Sequence, residues 1–245
     1  AVDPKVRNLD QSRIGSVLCG DQDALKGGAP VKAMLIQNHN PAMVAPDTKK
    51  VLAGLNRKDL FVCVHEQFMT ETAELADIVI PATMFLEHDD MYKGGGHSYL
   101  HVTRKVIEPY EECRSNHEVL CALAERLGAE HAGFSMTAWQ LMDQCLRASG
   151  LGGVDDAYKV RWLDFSKSRK ELNFLNGFAN PDRKFRFAPD WAALGGDYEA
   201  MPALPDHMDN TDPTGPEHPF RLVTSPARRF LNSTFTESET SRRME

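Results

Sequence analysis

The chain has 245 residues, 42% hydrophobic and 26% charged, which is enough for one large or two modest domains with real cores. A formal net charge of −7 argues against nucleic acid or an anionic membrane as the main partner, and no run of about 18 apolar residues exists to span a bilayer. The opening AVDPKVRNLDQ lacks the basic start and apolar middle of a signal peptide, and five cysteines without a CxxC pair imply neither a disulfide framework nor a zinc ribbon.

Residues 1–30, carrying SRIG and DQDALKGGAP, read as the tail of a preceding domain that leads into a strand at Ala33–Gln37. That strand gives way to an Asn-rich loop with Pro41, after which Asp47 caps a helix bearing Val51, Leu52 and Leu55 on one face. The β-rich run at 60–64 completes one βαβ unit. Thr70 then caps a helix over TETAELA, Asp77 closes it, and IVIP at 78–81 predicts a third buried parallel strand, ended by a proline that cannot donate to a ladder.

Farther along, Gly94, Gly95 and Gly96 mark a turn before YLHVTRKV, where Leu100, Val102 and Val106 alternate with polar residues as a half-buried strand requires. Ser115 and Glu118 form a capping box for a helix with Val119, Leu120, Leu123 and Leu127 inward, stopped by Gly128. Thr137 and Gln140 repeat the box for a helix with Leu141, Met142, Cys145 and Leu146, ended by Gly150. From 152 the periodicity degrades into short helical pieces, a KFRF strand at 184–187 and a Pro/Asp-rich linker at 201–219. A new β element, FRLVTS, opens at Phe220.

Three stretches in this order, NHNPAMVAPD at 38–47, HEQFMTETAELADIVIPATMFLEHDD at 65–90 and SNHEVLCALAERLG at 115–128, resemble the molybdopterin oxidoreductases related to dimethyl sulfoxide reductase and formate dehydrogenase. PDRKFRFAPDWAALGG at 181–196 is similar to that family's approach to its last domain, and FRLVTSPARRFLNSTF at 220–235 to the first strand and loop of its carboxyl-terminal β-barrel. The resemblance implies an α/β fold: a Rossmann-like parallel sheet with flanking helices, followed by an irregular helical segment and the start of a β-barrel cap domain. It divides the chain into the tail at 1–30, part of a molybdopterin guanine dinucleotide-binding domain at 31–116, a helical or irregular segment at 117–200, the linker at 201–219 and a truncated cap at 220–245.

The implied cofactor is bis(molybdopterin guanine dinucleotide) carrying molybdenum or tungsten, with a 4Fe-4S cluster expected in a region ahead of Ala1. Neither the iron–sulfur CxxC motif nor the family's metal-ligand region has a counterpart in this sequence, so the chain reads as an internal fragment that by itself turns over no substrate. Its expected partners are the molybdopterin cofactor, the remaining amino- and carboxyl-terminal parts of the same enzyme and an electron-transfer subunit, without direct membrane insertion. A cytoplasmic setting is expected, with the periplasm open because a signal region would lie upstream. The alternative is a non-catalytic nucleotide-binding or structural subunit that keeps the fold without the cofactor; the GxGxxG and GxxxxGK loops of a dedicated nucleotide module are absent.

The resemblance implies these cofactor-binding residues. Asn38 and Asn40 offer short amides to phosphate and ribose oxygens where Pro41 fixes the turn, and Glu66 at the end of the next strand accepts from ribose hydroxyls or base amines. Thr70 offers a hydroxyl beside its cap, Asp77 follows it, and Asn116 opens a helix whose free N–H groups favour an anion. Arg228 presents a guanidinium to pterin or phosphate oxygens. Beside these stand plainer roles: a turn without a ligand, a solvated Glu66, Thr70 and Asp77 as helix ends, and Arg228 on the surface. No catalytic residue and no metal ligand is assigned, since His88, His97 and His101 lack the carboxylate or cysteine that would complete a zinc pattern, and Glu87, His88, Asp89 and Asp90 read as a polar loop.

Overall fold

Three parallel strands form where the apolar runs lie. In the computed structural model, which describes residues 6–194, 198, 201–206 and 214–244, β1 (Ala33–Gln37), β2 (Phe61–Glu66) and β3 (Ile78–Pro81) pair in the order β1-β2-β3. The register sets Gln37 beside His65 and Glu66 beside Pro81, so the carboxyl ends of all three strands reach one rim of the sheet. The expectation of three parallel strands with Asn38, Glu66 and Pro81 on that rim is met.

The core packs against β2, the central strand. Val62 and Val64 are fully buried there with Ile36 of β1, and α3 (Thr48–Leu55) adds Val51 and Leu55 after the predicted Asp47 cap. Each such aliphatic side chain contributes roughly 1.5–3 kcal/mol when removed from water. Ile14 and Leu18 of α1 (Ile14–Leu18) belong to the same cluster, so this segment, expected to finish a preceding domain, packs on α3 instead. The approach is close because Gly54 of α3 faces Leu18. Leu52, expected inward, is exposed.

Two further expectations in this region need correction. TETAELA does not form a regular helix: only a 3-10 turn, Ala73–Leu75, fits between β2 and β3, because the chain must return to the amino end of the sheet within eleven residues, near the minimum for a crossover. β3 is not buried on both faces: Ile78 is 49% exposed and Val79 37%. It ends the three-strand ladder, continued only by an isolated parallel bridge between Ala82 and Arg114, so it lacks the cover that β2 has.

A second sheet is antiparallel and was not foreseen as such. β4 (Asp90–Lys93), β5 (Tyr99–Thr103) and β6 (Trp162–Asp164) pair in that order, with the glycine-rich turn joining β4 to β5. Leu100 and Val102 face inward as predicted, whereas the strand stops at Thr103 and leaves Val106 72% exposed. Both capping boxes form, on α4 (Asn116–Leu127) and α5 (Ala138–Ala148), and Gly128 takes the left-handed conformation that ends α4. α4 buries Val119 and Ala124 but exposes Leu120 and Leu127; α5 buries Met142 and Leu146 but exposes Cys145. α6 (Val154–Val160) completes this part of the chain.

These elements and residues 227–245 form one compact unit; residues 165–226 form another. The second unit holds α7 (Arg169–Leu172), a stack of Phe174 on Phe178 with ring centroids 4.6 Å apart, and α8 (Trp191–Leu194). KFRF is not a strand there. Asp182 takes the Lys184 N–H and pairs with Arg186, which turns the segment locally instead of extending it along a partner. FRLVTS has no ladder partner among the described residues either, and Phe220, Leu222 and Val223 are all more than 80% exposed. The expected opening strand of a barrel is therefore not formed at 220–225, and α9 (Glu239–Met244) lies within the stretch expected as the truncated cap. Part of the expected linker, 207–213, and Gly195 and Gly196 of the motif at 181–196, lie outside the described residues. Among the described residues no helix is long and apolar enough to cross a membrane.

Candidate cofactor-binding site

The rim at the carboxyl ends of β1, β2 and β3 is built from short polar loops. Directly after β1 the chain turns on Asn38, whose φ of 52° is left-handed, a conformation asparagine tolerates better than most residues. The loop then enters the single turn α2 (Pro41–Val44), where Pro41 occupies the first helical position and is fully buried. Pro41 thus shapes the loop from below.

Asn40 is buried, and its amide is used inside the protein. Its nitrogen donates to Glu71 Oε2 at 2.8 Å, and its oxygen accepts from the Thr72 hydroxyl at 2.7 Å and the Thr72 N–H at 3.3 Å. The Thr72 hydroxyl in turn accepts the Ala42 N–H at 3.0 Å. The Asn40 amide, with the backbone N–H of Glu71 and Arg242, holds the Glu71 carboxyl below its ordinary range. This polar knot ties the loop after β1 to the crossover after β2 and leaves Asn38, not Asn40, facing outward.

Glu66 stands half-buried at the end of β2, with one carboxylate oxygen accepting the Gln67 N–H at 2.8 Å. Gln67 reaches across to donate to the Thr83 carbonyl at 2.9 Å, which joins the loops after β2 and β3. Thr70 is buried, and its hydroxyl accepts the Ala73 N–H that starts the 3-10 turn.

Around these residues lies a cleft of about 610 Å³ lined by Asn38, Glu66, Gln67, Thr70, Phe68 and Phe85. Ser233, Thr234, Phe235 and Ser238 of the closing segment also line it. A neighbouring cleft of about 430 Å³ shares Asn38, Gln67 and Phe85 and extends to Asn116, the first residue of α4. The structure therefore brings Asn38, Asn40, Glu66 and Thr70 to one cleft and Asn38 with Asn116 to the next. Asp77 is separated from them: its carboxylate accepts the Val62 N–H at 2.7 Å near the amino ends of the strands, the opposite rim. Arg228 lies exposed in a bend and lines neither cleft.

The lining chemistry fits a dinucleotide. Asn38 and Gln67 amides and the Ser233 and Ser238 hydroxyls are donors of the kind that suits phosphate and ribose oxygens, Glu66 is an acceptor, and the phenylalanines are flat apolar surface of the kind that suits a base. Gln67, Phe85 and the 233–238 segment were missed from the sequence. Gln67 could have been found from its place beside Glu66; nothing local marked the others.

The polar run after β3 serves as clasps. Glu87 is buried, with its two carboxylate oxygens accepting the Met84 and Tyr110 N–H groups at 2.6 and 2.9 Å. Asp89 pairs with Arg104, His88 meets the Thr83 hydroxyl at 2.7 Å, and Asp90 opens β4 instead of remaining in the loop. Burial, helped by Asp90, pushes the Tyr92 phenol up to about 12. His97 lies in the turn and tilts against Tyr99, while His101 stacks on Trp162. Among the described residues no group of three or more His, Cys, Asp or Glu side chains is placed to hold a metal ion.

Residues 18–126 match the family described as Molybdopterin oxidoreductase. Those residues contain the whole parallel sheet, its rim loops and nearly all of α4. The chain belongs to the molybdopterin oxidoreductase family. It is 35% identical over 241 residues to the Probable oxidoreductase YoaE of Bacillus subtilis (strain 168), covering 95% of this chain and 33% of that protein. It is 27% identical to the Dimethyl sulfoxide/trimethylamine N-oxide reductase of Rhodobacter capsulatus, covering 79% of this chain and 26% of the relative. The Acetylene Hydratase from Pelobacter acetylenicus shares the fold, with a TM-score of 0.57 at 24% identity over 79% of this chain and 26% of that one. The chain thus spans about a third or less of the length of these relatives.

Proposed function

We propose that this chain is part of a molybdopterin-dependent oxidoreductase and holds one dinucleotide arm of a bis(molybdopterin guanine dinucleotide) cofactor. The observation that carries the reading is the rim itself: Asn38, Glu66 and Asn116, taken from three separate stretches of sequence, meet around two clefts joined through Gln67 and Phe85. Glu66 accepts from ribose hydroxyls or the base, Asn38 and Gln67 donate to ribose and phosphate oxygens, and the amino end of α4 favours phosphate at Asn116. When bound, the cofactor's molybdenum or tungsten supplies oxo-transfer or electron-transfer chemistry. The residues here contribute position, and the clefts' phenylalanines keep water from the polar contacts. An electron-transfer partner and a 4Fe-4S cluster belong to the same proposal. Five free cysteines suit a reducing, cytoplasmic setting.

The test is cofactor retention in the intact enzyme. Glu66→Ala and Asn38→Ala each remove one polar partner from a largely enclosed dinucleotide, a loss of about 1–3 kcal/mol per contact. Molybdenum, or tungsten, and guanine per purified subunit, measured after gel filtration, should fall in both variants and stay near wild type in His97→Ala. Full occupancy in both rim variants would remove the assignment.

A further inference from the structure

Asn38, Glu66 and Asn116 each lie within two residues of one buried side chain, His65, or of a group that it bonds. This imidazole is fully buried near the end of β2, immediately before Glu66. Its Nε2 lies 2.9 Å from the Arg114 carbonyl, and because a carbonyl only accepts, Nε2 carries the proton. Its Nδ1 lies 3.0 Å from Gln37 Nε2, which can donate to it. Gln37 immediately precedes Asn38; Arg114 precedes Ser115 and Asn116. The Arg114 peptide is fastened to the sheet at both of its ends, its N–H donating to the Pro81 carbonyl at 3.0 Å and its carbonyl accepting the Thr83 N–H at 3.2 Å.

We propose that His65 is the positioning residue of the rim, a central tie that holds Asn38, Glu66 and Asn116 in one mutual geometry. The inference rests on the cofactor reading above. Among the described residues no other side chain bonds at once to the last residue of β1 and to the segment that opens α4. The buried ring makes two in-plane bonds of fixed direction, so it sets the spacing between the two segments in a way a flexible surface contact does not. His65 itself touches no cofactor: it lies beneath the rim, and Glu66, with its side chain on the other face of the strand, is the group that reaches the cleft.

The experiment compares His65→Leu, which keeps an apolar body of similar size, with His65→Gln, which keeps a donor and an acceptor. Both are made in the intact enzyme beside Glu66→Ala. Hydrogen exchange is read on peptides covering 36–40, 64–68 and 112–117, with cofactor content read after gel filtration. In His65→Leu the three peptides should exchange together, about fivefold to tenfold faster, while cofactor content falls and exchange elsewhere is unchanged; a buried group left without its partner costs enough for that change. His65→Gln should recover most of both readings. Loosening confined to 64–68, faster exchange spread through the whole chain, or unchanged cofactor content in His65→Leu would overturn the proposal. If Glu66→Ala keeps its cofactor while the three peptides still loosen together in His65→Leu, the cofactor reading fails and the mechanical tie stands.

Discussion

Asn38 and Asn40 are two residues apart in sequence and opposite in role. Asn40 is consumed by Glu71 and Thr72, whereas Asn38 turns the backbone and faces the cleft. Asn40→Ala leaves the buried Thr72 N–H without its acceptor, so it should lower the stability of the unit by about 1–3 kcal/mol, read as a drop in Tm. An unchanged Tm would mean that Thr72 finds another partner. The Glu71 carboxyl has a folded-state pKa below its ordinary value of 4.5, so the stability it contributes is fully present above that pH and is lost as pH falls through the lower folded value. Glu71→Gln should therefore flatten the acid side of the stability profile and lower the neutral side by the contribution that the carboxylate makes there. A profile as steep as wild type below pH 4.5 would assign that slope to other carboxylates.

The pairing of α1 with α3 depends on two glycines. A Cβ at Gly54 would stand 2.4 Å from Leu18 Cβ, and one at Gly15 would stand 2.9 Å from the Val51 backbone nitrogen. Within a helix, Gly→Ala ordinarily gains about 1 kcal/mol of propensity. Here overpacking of about 1–3 kcal/mol opposes it, and Leu18 is fully buried with little room to retreat. Gly54→Ala should thus lower the Tm despite the better helix former; a rise would show that the two helices can slide apart. The capping boxes of α4 and α5 were legible because Ser115 with Glu118, and Thr137 with Gln140, act within four residues of chain. β4 and β6 were not, because four and three residues of mixed polarity become strands only when β5 lies between them.

At the level of the whole molecule, apolar surface is abundant. Ile78 and Val79 on β3, Leu127 at 80% exposure and Phe220 at 90% present side chains that a self-sufficient domain usually covers. The purified chain by itself should bind a hydrophobic dye and self-associate as its concentration rises. A monodisperse, dye-silent monomer with one sharp melting transition would show that these side chains find cover within the chain.

What the sequence determined by itself was local and periodic: the apolar strands of the parallel sheet, the two capped helices, the turns at Gly94–Gly96, and the polar strand ends at Asn38 and Glu66. Each depends on residues a few positions apart, so each is written where it acts. Tertiary structure alone decided which candidates meet. It sent the Asp77 carboxylate to Val62 at the far rim, spent Asn40 on the crossover, and buried Pro41 beneath its loop. It also left KFRF and FRLVTS without ladders, since an extended segment becomes a strand only when another backbone lies beside it. Gln67 and Phe85 joined the site for the same reason: a cleft is made of surfaces brought together over long sequence distances, and no local pattern encodes that encounter.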